Sequence, residues 1–174
     1  MKNNIPTAEE CIQILNDVGC SEEVIKHSIA VKDMAIKIAK KTNADLKLVE
    51  AGALLHDIGR SKTHGIKHGI EGVKIAKKLG LPIEIINIIE KHIGAGLVKK
   101  ESKKLGLPAK NYLPETLEEK IVCHADNLIQ DGKKQVIEIE VERALREGKN
   151  EYALRLVQLH KELSEICGID LNKI

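Results

Sequence analysis

Apolar residues recur every three to four positions along most of this chain, and polar punctuation cuts the pattern into helix-length pieces. Thr7-Ala8-Glu9-Glu10 has the form of a capping box, after which Cys11, Ile14, Leu15 and Val18 keep helical spacing until Gly19 stops them. Ser21 caps a longer segment with a stripe of Val24, Ile25, Ser28, Val31, Ala35, Ile38 and Ala39. His27 falls beside that stripe, one turn ahead of Val31. Asp45 caps a third helix through Leu46, Val49, Ala53 and Leu54, which ends at His56-Asp57 with Gly59 expected to supply a left-handed stop. Ser61 to Gly69 is a basic, His-bearing loop, and Ile70, Val73, Ala76 and Leu79 mark the helix after it. Gly80-Leu81-Pro82 breaks that helix, and Pro82 opens another carrying Ile85, Ile86, Ile88 and Ile89 to His92, where Gly94 and Gly96 end the pattern.

Leu97 to Pro114 mixes Lys, Gly, Pro and Asn and forms the longest irregular connection, a natural place for a substrate-facing loop. Helical periodicity resumes from Glu115 to Gln130 through Leu117, Ile121 and Ala125, and brings His124 and Asp126 with it. Lys134 to Ile166 gives two helical stretches joined at Gly148-Lys149-Asn150. Val136 to Val141 partly alternates with period two, but helix is preferred because no partner strand is visible elsewhere. With no internal repeat, the expectation is an all-α fold, a compact bundle of about eight helices. It forms one domain over 1–174, with its motif-bearing part near 22–130 and its C-terminal helices over 134–168.

Composition narrows the picture. A chain of 174 residues can bury roughly 70% of its unfolded surface. The formal charge of +2 gives no case for non-specific nucleic-acid binding or a polybasic membrane patch. No segment joins a basic start to an apolar core, and no apolar run nears the roughly 20 residues that span a bilayer. A soluble, cytoplasmic protein is expected, with nucleic acid and membrane excluded as partners and the oligomeric state open. Cys11, Cys20, Cys123 and Cys167 lack CxxC spacing, so buried free thiols are expected. Lys, Glu and Ile are abundant while Phe and Trp are absent, a balance that suits high temperature. The core must therefore be aliphatic, and there is little aromatic surface for stacking single-stranded bases.

The chemistry lies in His56-Asp57-Ile58-Gly59, with His27 upstream and Asp126 downstream. Imidazole nitrogen with carboxylate oxygen and no thiolate suits a divalent Mn, Fe, Co, Ni or Zn ion in an open, water-bearing centre. Arg60, just after this run, and Lys67 are candidates to meet a phosphate. His64 could be a further metal ligand, a phosphate contact or the acid that protonates a leaving oxygen. His124, two positions before Asp126, points elsewhere on its helix, and His160 is expected at the surface. Lys99 to Lys104 is expected to be a solvated face.

The ordered set His27, His56-Asp57 and Asp126 resembles the HD superfamily of metal-dependent phosphohydrolases, and His56-Asp57-Ile58-Gly59 resembles its HDIG subgroup, over roughly Glu22 to Gln130. The resemblance implies that His27, His56, Asp57 and Asp126 hold a first metal. It also implies that His68, in His68-Gly69-Ile70-Glu71-Gly72, and His92 complete a second, with Asp57 shared. Two ions about 3.5–4 Å apart can acidify a shared water and take up charge at phosphorus. A dinuclear centre is therefore favoured, with catalytic roles at Asp57, Arg60, His64 and Lys67. The chain also resembles the small archaeal HDIG proteins, through the run from His56 to His68 and through Lys91-His92-Ile93-Gly94-Ala95-Gly96. That resemblance implies a small-molecule substrate, dihydroneopterin 2',3'-cyclic phosphate opened to a phosphomonoester for methanopterin, with Fe(II) favoured over Mn(II), Zn(II), Ni(II) or Co(II). A nucleotidase or dinucleotide-polyphosphate hydrolase, and a non-catalytic nucleotide sensor, are the alternatives.

Overall fold

Side-chain caps start the first three helices where the pattern predicts. The structure, a computed structural model, describes residues 4–174. Helix α1 (Ala8–Asp17) opens on the reciprocal Thr7–Glu10 capping box. In α2 (Glu22–Ala39) the Val24 N–H donates to Ser21 Oγ, and in α3 (Leu46–Leu55) Asp45 accepts from the Lys47 and Leu48 N–H groups. Each cap satisfies amides that the first helical turn leaves orphaned. A 3-10 turn (Ile58–Ser61) leads to α4 (His68–Lys78), and α5 (Ile83–Lys91), α6 (Lys99–Lys104) and α7 (Leu117–Asn127) follow. After a two-residue hairpin, β1 (Ile129–Gln130) with β2 (Lys133–Lys134), come α8 (Ile137–Arg146) and α9 (Asn150–Cys167).

Helix α3 is the axis of the core, with seven of its residues buried from Leu48 to Leu55, and α1, α2, α5 and α7 pack around it. A helix covered this widely has to be apolar and small-residue-rich, and Ala51, Gly52 and Ala53 let its neighbours approach. Gly52 forms a notch for Ile88 of α5: a Cβ there would lie 2.5 Å from Ile88 Cδ1. That contact fixes the end of α5 relative to the end of α3. Ile88→Ala is expected to cost about 2–5 kcal/mol, read as a lower urea midpoint with an unchanged slope. A loss below about 1 kcal/mol would mean that the notch closes without it. All four cysteines are free, with Cys11, Cys20 and Cys123 buried and Cys167 half-buried.

Four features depart from the expectations. Leu97–Pro114 is not structureless, because α6 forms within it, tied down by Ser102 Oγ donating to Lys110 O and by the Arg155–Glu101 ion pair at 2.6 Å. The helix expected to reach Gln130 ends at Asn127, and β1 pairs antiparallel with β2. Asp131 and Gly132, both at positive φ (51° and 72°), form the turn between them. An Asp-Gly pair is the signature of a type I′ hairpin, whose two central residues both need that conformation. The region after Val136 is helical as expected. Gly59 does not adopt the left-handed stop; it is glycine for want of space, because a Cβ there would lie within 2.5 Å of Gly72 N and closer still to the His68 carbonyl.

Candidate metal centre

Three helix ends and one helix start converge. The pairing of α2 with α3 and α7 brings His27 toward His56-Asp57 at the end of α3 and toward Asp126 in the last turn of α7. The pairing of α4 with α5 sets His68, the first residue of α4, beside His92, the C-cap of α5. His27 Nε2 lies 2.9 Å from Asp126 Oδ1 and 3.9 Å from Asp57 Oδ2. His56 Nε2 lies 3.5 Å from Asp126 Oδ1 and 3.7 Å from Asp57 Oδ2. On the other carboxylate oxygen, Asp57 Oδ1, His68 Nε2 is at 3.2 Å and His92 Nε2 at 3.4 Å. Asp57 thus offers one oxygen to each of two imidazole groups.

The rings are held by main chain. Nδ1 of His56, His68 and His92 lies 2.7, 2.8 and 2.7 Å from the carbonyls of Ala53, Gly65 and Ile89, each three residues earlier. A carbonyl only accepts, so each Nδ1 carries a proton, and the nitrogen turned inward, bare in a neutral ring, is Nε2. His68 and His92 then face each other with Nε2 atoms 2.9 Å apart and no proton to share. His56 Nε2 and Asp57 Oδ1 are buried without a hydrogen-bond partner. Opposed lone pairs and orphaned buried acceptors are costly unless a cation lies among them. Ligand bonds of about 2.1 Å space neighbouring donor atoms by roughly 3.0–3.4 Å in octahedral or tetrahedral sites, and the separations here fall around that value. Three overlapping groups could hold an ion: His27-His56-Asp57, His56-His92-Asp126 and Asp57-His68-His92.

The electrostatics agree. Burial pushes the Asp57 carboxyl up, but the surrounding His56, His68 and His92 rings outweigh it and hold that carboxyl well below the usual range. Asp126 is likewise held low by His56 and His27 against its own burial. Burial pulls His56 down, yet the carboxylates of Asp57 and Asp126 win and raise it to about 9, so a proton takes up the positive charge that the carboxylates call for. His92, where burial dominates, is lowered. The centre opens to solvent on the side of His27 and Asp126, whose side chains are 25% and 23% exposed against 0% for His56.

The remaining predicted residues fall elsewhere. Arg60 turns back onto the centre: its Nε donates to Asp57 Oδ2 at 2.6 Å and its Nη1 to the His64 carbonyl at 3.2 Å, so it orients the shared carboxylate. His64 and Lys67 are exposed on the loop ahead of α4, and their side chains are not brought to the cluster. His160, expected at the surface, is half-buried. It shares a hydrogen bond of 3.0 Å with buried His124 and one of 3.1 Å with Asp170, joining α7, α9 and the C-terminal turn. Sequence reasoning missed Asn127 and Cys123, which both donate to the Gly94 carbonyl and set the chain just past His92. It also missed Lys91, half-buried and paired with buried Glu119 at 3.0 Å. The only available signal was adjacency, Asn127 to Asp126 and Lys91 to His92.

The HD domain family matches residues 24–131. A tRNA (cytidine(56)-2'-O)-methyltransferase of Thermoplasma volcanium is 46% identical over 170 residues, covering 98% of this chain and 50% of that protein. The same-named protein of Picrophilus torridus is 45% identical over 172 residues, again 98% of this chain and 50% of its own. The chain therefore spans about half the length of these two curated relatives. An uncharacterized protein of Methanocaldococcus jannaschii is 45% identical over 165 residues, 91% of this chain and 97% of that one. Among solved structures, the HD domain of the L. monocytogenes phosphodiesterase PgpH in complex with cyclic-di-AMP superposes with a TM-score of 0.57. It is 19% identical over 88% of this chain and 96% of its own, a likeness of fold.

Proposed function

The chain belongs to the HD domain family, and on that premise we propose that it is a cytoplasmic, metal-dependent phosphodiesterase that opens a cyclic phosphoester. The substrate we favour is dihydroneopterin 2',3'-cyclic phosphate, converted to a phosphomonoester in methanopterin biosynthesis. One observation carries the reading: Asp57 presents its two oxygens to two separate imidazole groups, His27 with His56 and His68 with His92, all of which turn Nε2 toward it. In this reading His27, His56, Asp57 and Asp126 hold one ion, and Asp57, His68 and His92 hold the other. Fe(II) is favoured, and Mn(II), Zn(II), Ni(II) and Co(II) fit the same donors. Ions bound there would supply Lewis acidity and an acidified water at neutral pH.

The chain's own residues do the rest. Arg60 pins Asp57 from outside, so the shared carboxylate cannot rotate away from either group. The three carbonyl-anchored rings keep their donor atoms aimed inward before substrate arrives, so little reorganisation accompanies the reaction. His64 and Lys67 are exposed on the loop ahead of α4, and in this reading that loop meets the incoming phosphate, with His64 the group suited to hand a proton to the leaving oxygen.

No helix among the described residues is long and apolar enough to cross a membrane. The two relatives named as tRNA methyltransferases favour a second reading, in which the phosphoester is borne by RNA. One assay separates them. Anaerobically purified protein with Fe(II), Mn(II) or Zn(II) is offered guanosine 2',3'-cyclic monophosphate, a linear phosphodiester, and an oligoribonucleotide ending in a 2',3'-cyclic phosphate. Product one water heavier from the mononucleotide supports the first reading, turnover of the oligonucleotide alone supports the second, and silence on all three ends both. His92→Ala is expected to lower bound metal from two equivalents to one while the His27-His56-Asp126 side keeps its ion. Unchanged stoichiometry by elemental analysis would remove the second ion from the reading.

A further inference from the structure

A groove of about 700 Å³ runs between α6, α8 and the start of α9. No ligand of the metal centre lines it, yet it reaches the centre's margin. Ile66, two residues before His68, and Ile93, next to His92, form part of its wall with Leu97 and Ala144. At the same margin stands Tyr152, the one aromatic side chain of the groove in a chain with two tyrosines and neither Phe nor Trp. Its ring packs against Gly94, where a Cβ would lie 2.6 Å from Tyr152 Cε2. Gly94, also at φ +60°, therefore serves both the turn after His92 and the seating of this ring.

Arg155, which does not line the groove, sits with Cζ 5.8 Å from the ring centroid and is held there by Glu101 at 2.6 Å, while Tyr152 itself lines the groove. Burial first, and then the negative groups around it, Asp126 among them, push the phenol pKa up, so Tyr152 keeps its proton as a donor. Three of the four lining acids are ion-paired: Glu140 with Arg143 at 2.9 Å, Glu101 with Arg155, and Glu147 with Lys149, while Glu151 makes no ion pair among the described residues. Lys100 and Lys104 on α6 also line the groove, and neither is ion-paired among the described residues.

We propose that this groove seats a planar, carbonyl-bearing nitrogen heterocycle at the end of the substrate remote from phosphorus, and that Tyr152 is the residue that selects it. The inference rests on the phosphodiesterase reading. Its volume is that of a small-molecule site, with apolar walls and a few fixed polar groups. A heteroaromatic ring stacks on Tyr152, and its carbonyl edge accepts from Lys100 or Lys104. The phosphate meanwhile remains with the centre past Ile66 and Ile93. Stacking of a base on one aromatic side chain typically changes affinity by about ten- to a hundredfold. That sets the size of the effect.

The test compares guanosine 2',3'-cyclic monophosphate with methyl riboside 2',3'-cyclic phosphate, which lacks the heterocycle, on wild type, Tyr152→Leu and Tyr152→Phe. In Tyr152→Leu the preference for the guanosine substrate, as a ratio of kcat/KM values, is expected to fall at least tenfold, mainly through KM. In Tyr152→Phe, which keeps the ring, it should stay within about threefold. Equal loss on both substrates would mean that Tyr152 only supports the Gly94 turn, and an unchanged ratio would empty the groove of its assigned role; either overturns the proposal. Should wild type turn over neither substrate, the reaction reading fails by itself, and calorimetric titration of guanosine 2'-monophosphate decides the groove. Binding weakened tenfold or more in Tyr152→Leu upholds it, and equal or absent binding in both proteins overturns it.

Discussion

Asp57→Ala is expected to remove both metal ions and to lower turnover of a 2',3'-cyclic phosphate by at least about 10³-fold. The reason is position more than charge. His27 and His56 lie around Oδ2 while His68 and His92 lie around Oδ1, so one truncation withdraws a donor from each group at once. It also releases Arg60, whose Nε rests on Oδ2 at 2.6 Å, and leaves a guanidinium beside four imidazoles with one carboxylate fewer to balance them. Elemental analysis of the purified variant, run beside the turnover assay, checks both halves. Two retained equivalents, or more than a tenth of wild-type turnover, would sink the bridging role assigned to Asp57. His92→Ala differs by design, since it strips one group and spares the other.

Gly59→Ala should be nearly as severe by a route that touches no ligand. The 3-10 turn and the start of α4 cross so closely at Gly59 that a single methyl would fall between the His68 carbonyl and Gly72 N, both backbone atoms that cannot swing aside. Relief requires α4 to move, and His68 is its first residue. A loss of about 3 kcal/mol or more is expected, a fall in Tm on the order of 6–12 °C for a chain of this size, together with loss of the ion held by His68 and His92. Gly65→Ala is the matched control, since its nearest neighbour is Thr63 Oγ1 at 3.7 Å, and it should lie within about 0.5 kcal/mol of wild type. Equal Tm values for the two variants would refute the crossing argument.

The contrast between Gly59 and Gly94 shows what a sequence conceals. Both follow a histidine closely and both interrupt an apolar pattern, so both are expected to be helix stops. Gly94 has the positive φ that this needs, whereas Gly59 is required by a second piece of backbone that only the tertiary structure brings near. Helices with a wide apolar stripe and a capping side chain, such as α1, α2 and α3, are legible because their signals are local. Helix α6 is not, because its six residues are hydrophilic and it is held by Ser102, Glu101 and their distant partners. The hairpin at Asp131-Gly132 was legible in principle, since the dipeptide is a local signal, but the helical rhythm running up to it masked it.

The metal-centre residues fared similarly. His27, His56, Asp57, His68, His92 and Asp126 converge in one cluster; all but His27, which lies in the second turn of α2, sit on or beside a helix terminus, and the pattern locates the termini at His56 and His92. Arg60 was identified as a residue of interest, but its partner was not, because whether a guanidinium turns outward to solvent or back onto a carboxylate three residues away depends on the fold of an irregular turn. His160 was misread because the stripe of α9 does not reveal that α7 and the C-terminal turn cover it.

The peptide carbonyls of Ala53, Gly65 and Ile89 have one more consequence. Many metal-binding histidines are steered by an outer carboxylate, and exchanging that outer residue detunes the site. Here the steering atoms belong to the polypeptide itself, which every amino acid supplies, so the aim of these three rings is insulated from substitution nearby. A lineage built on this arrangement can exchange the walls that choose its substrate while the reactive hardware stays in tune, and so diversify without being rebuilt.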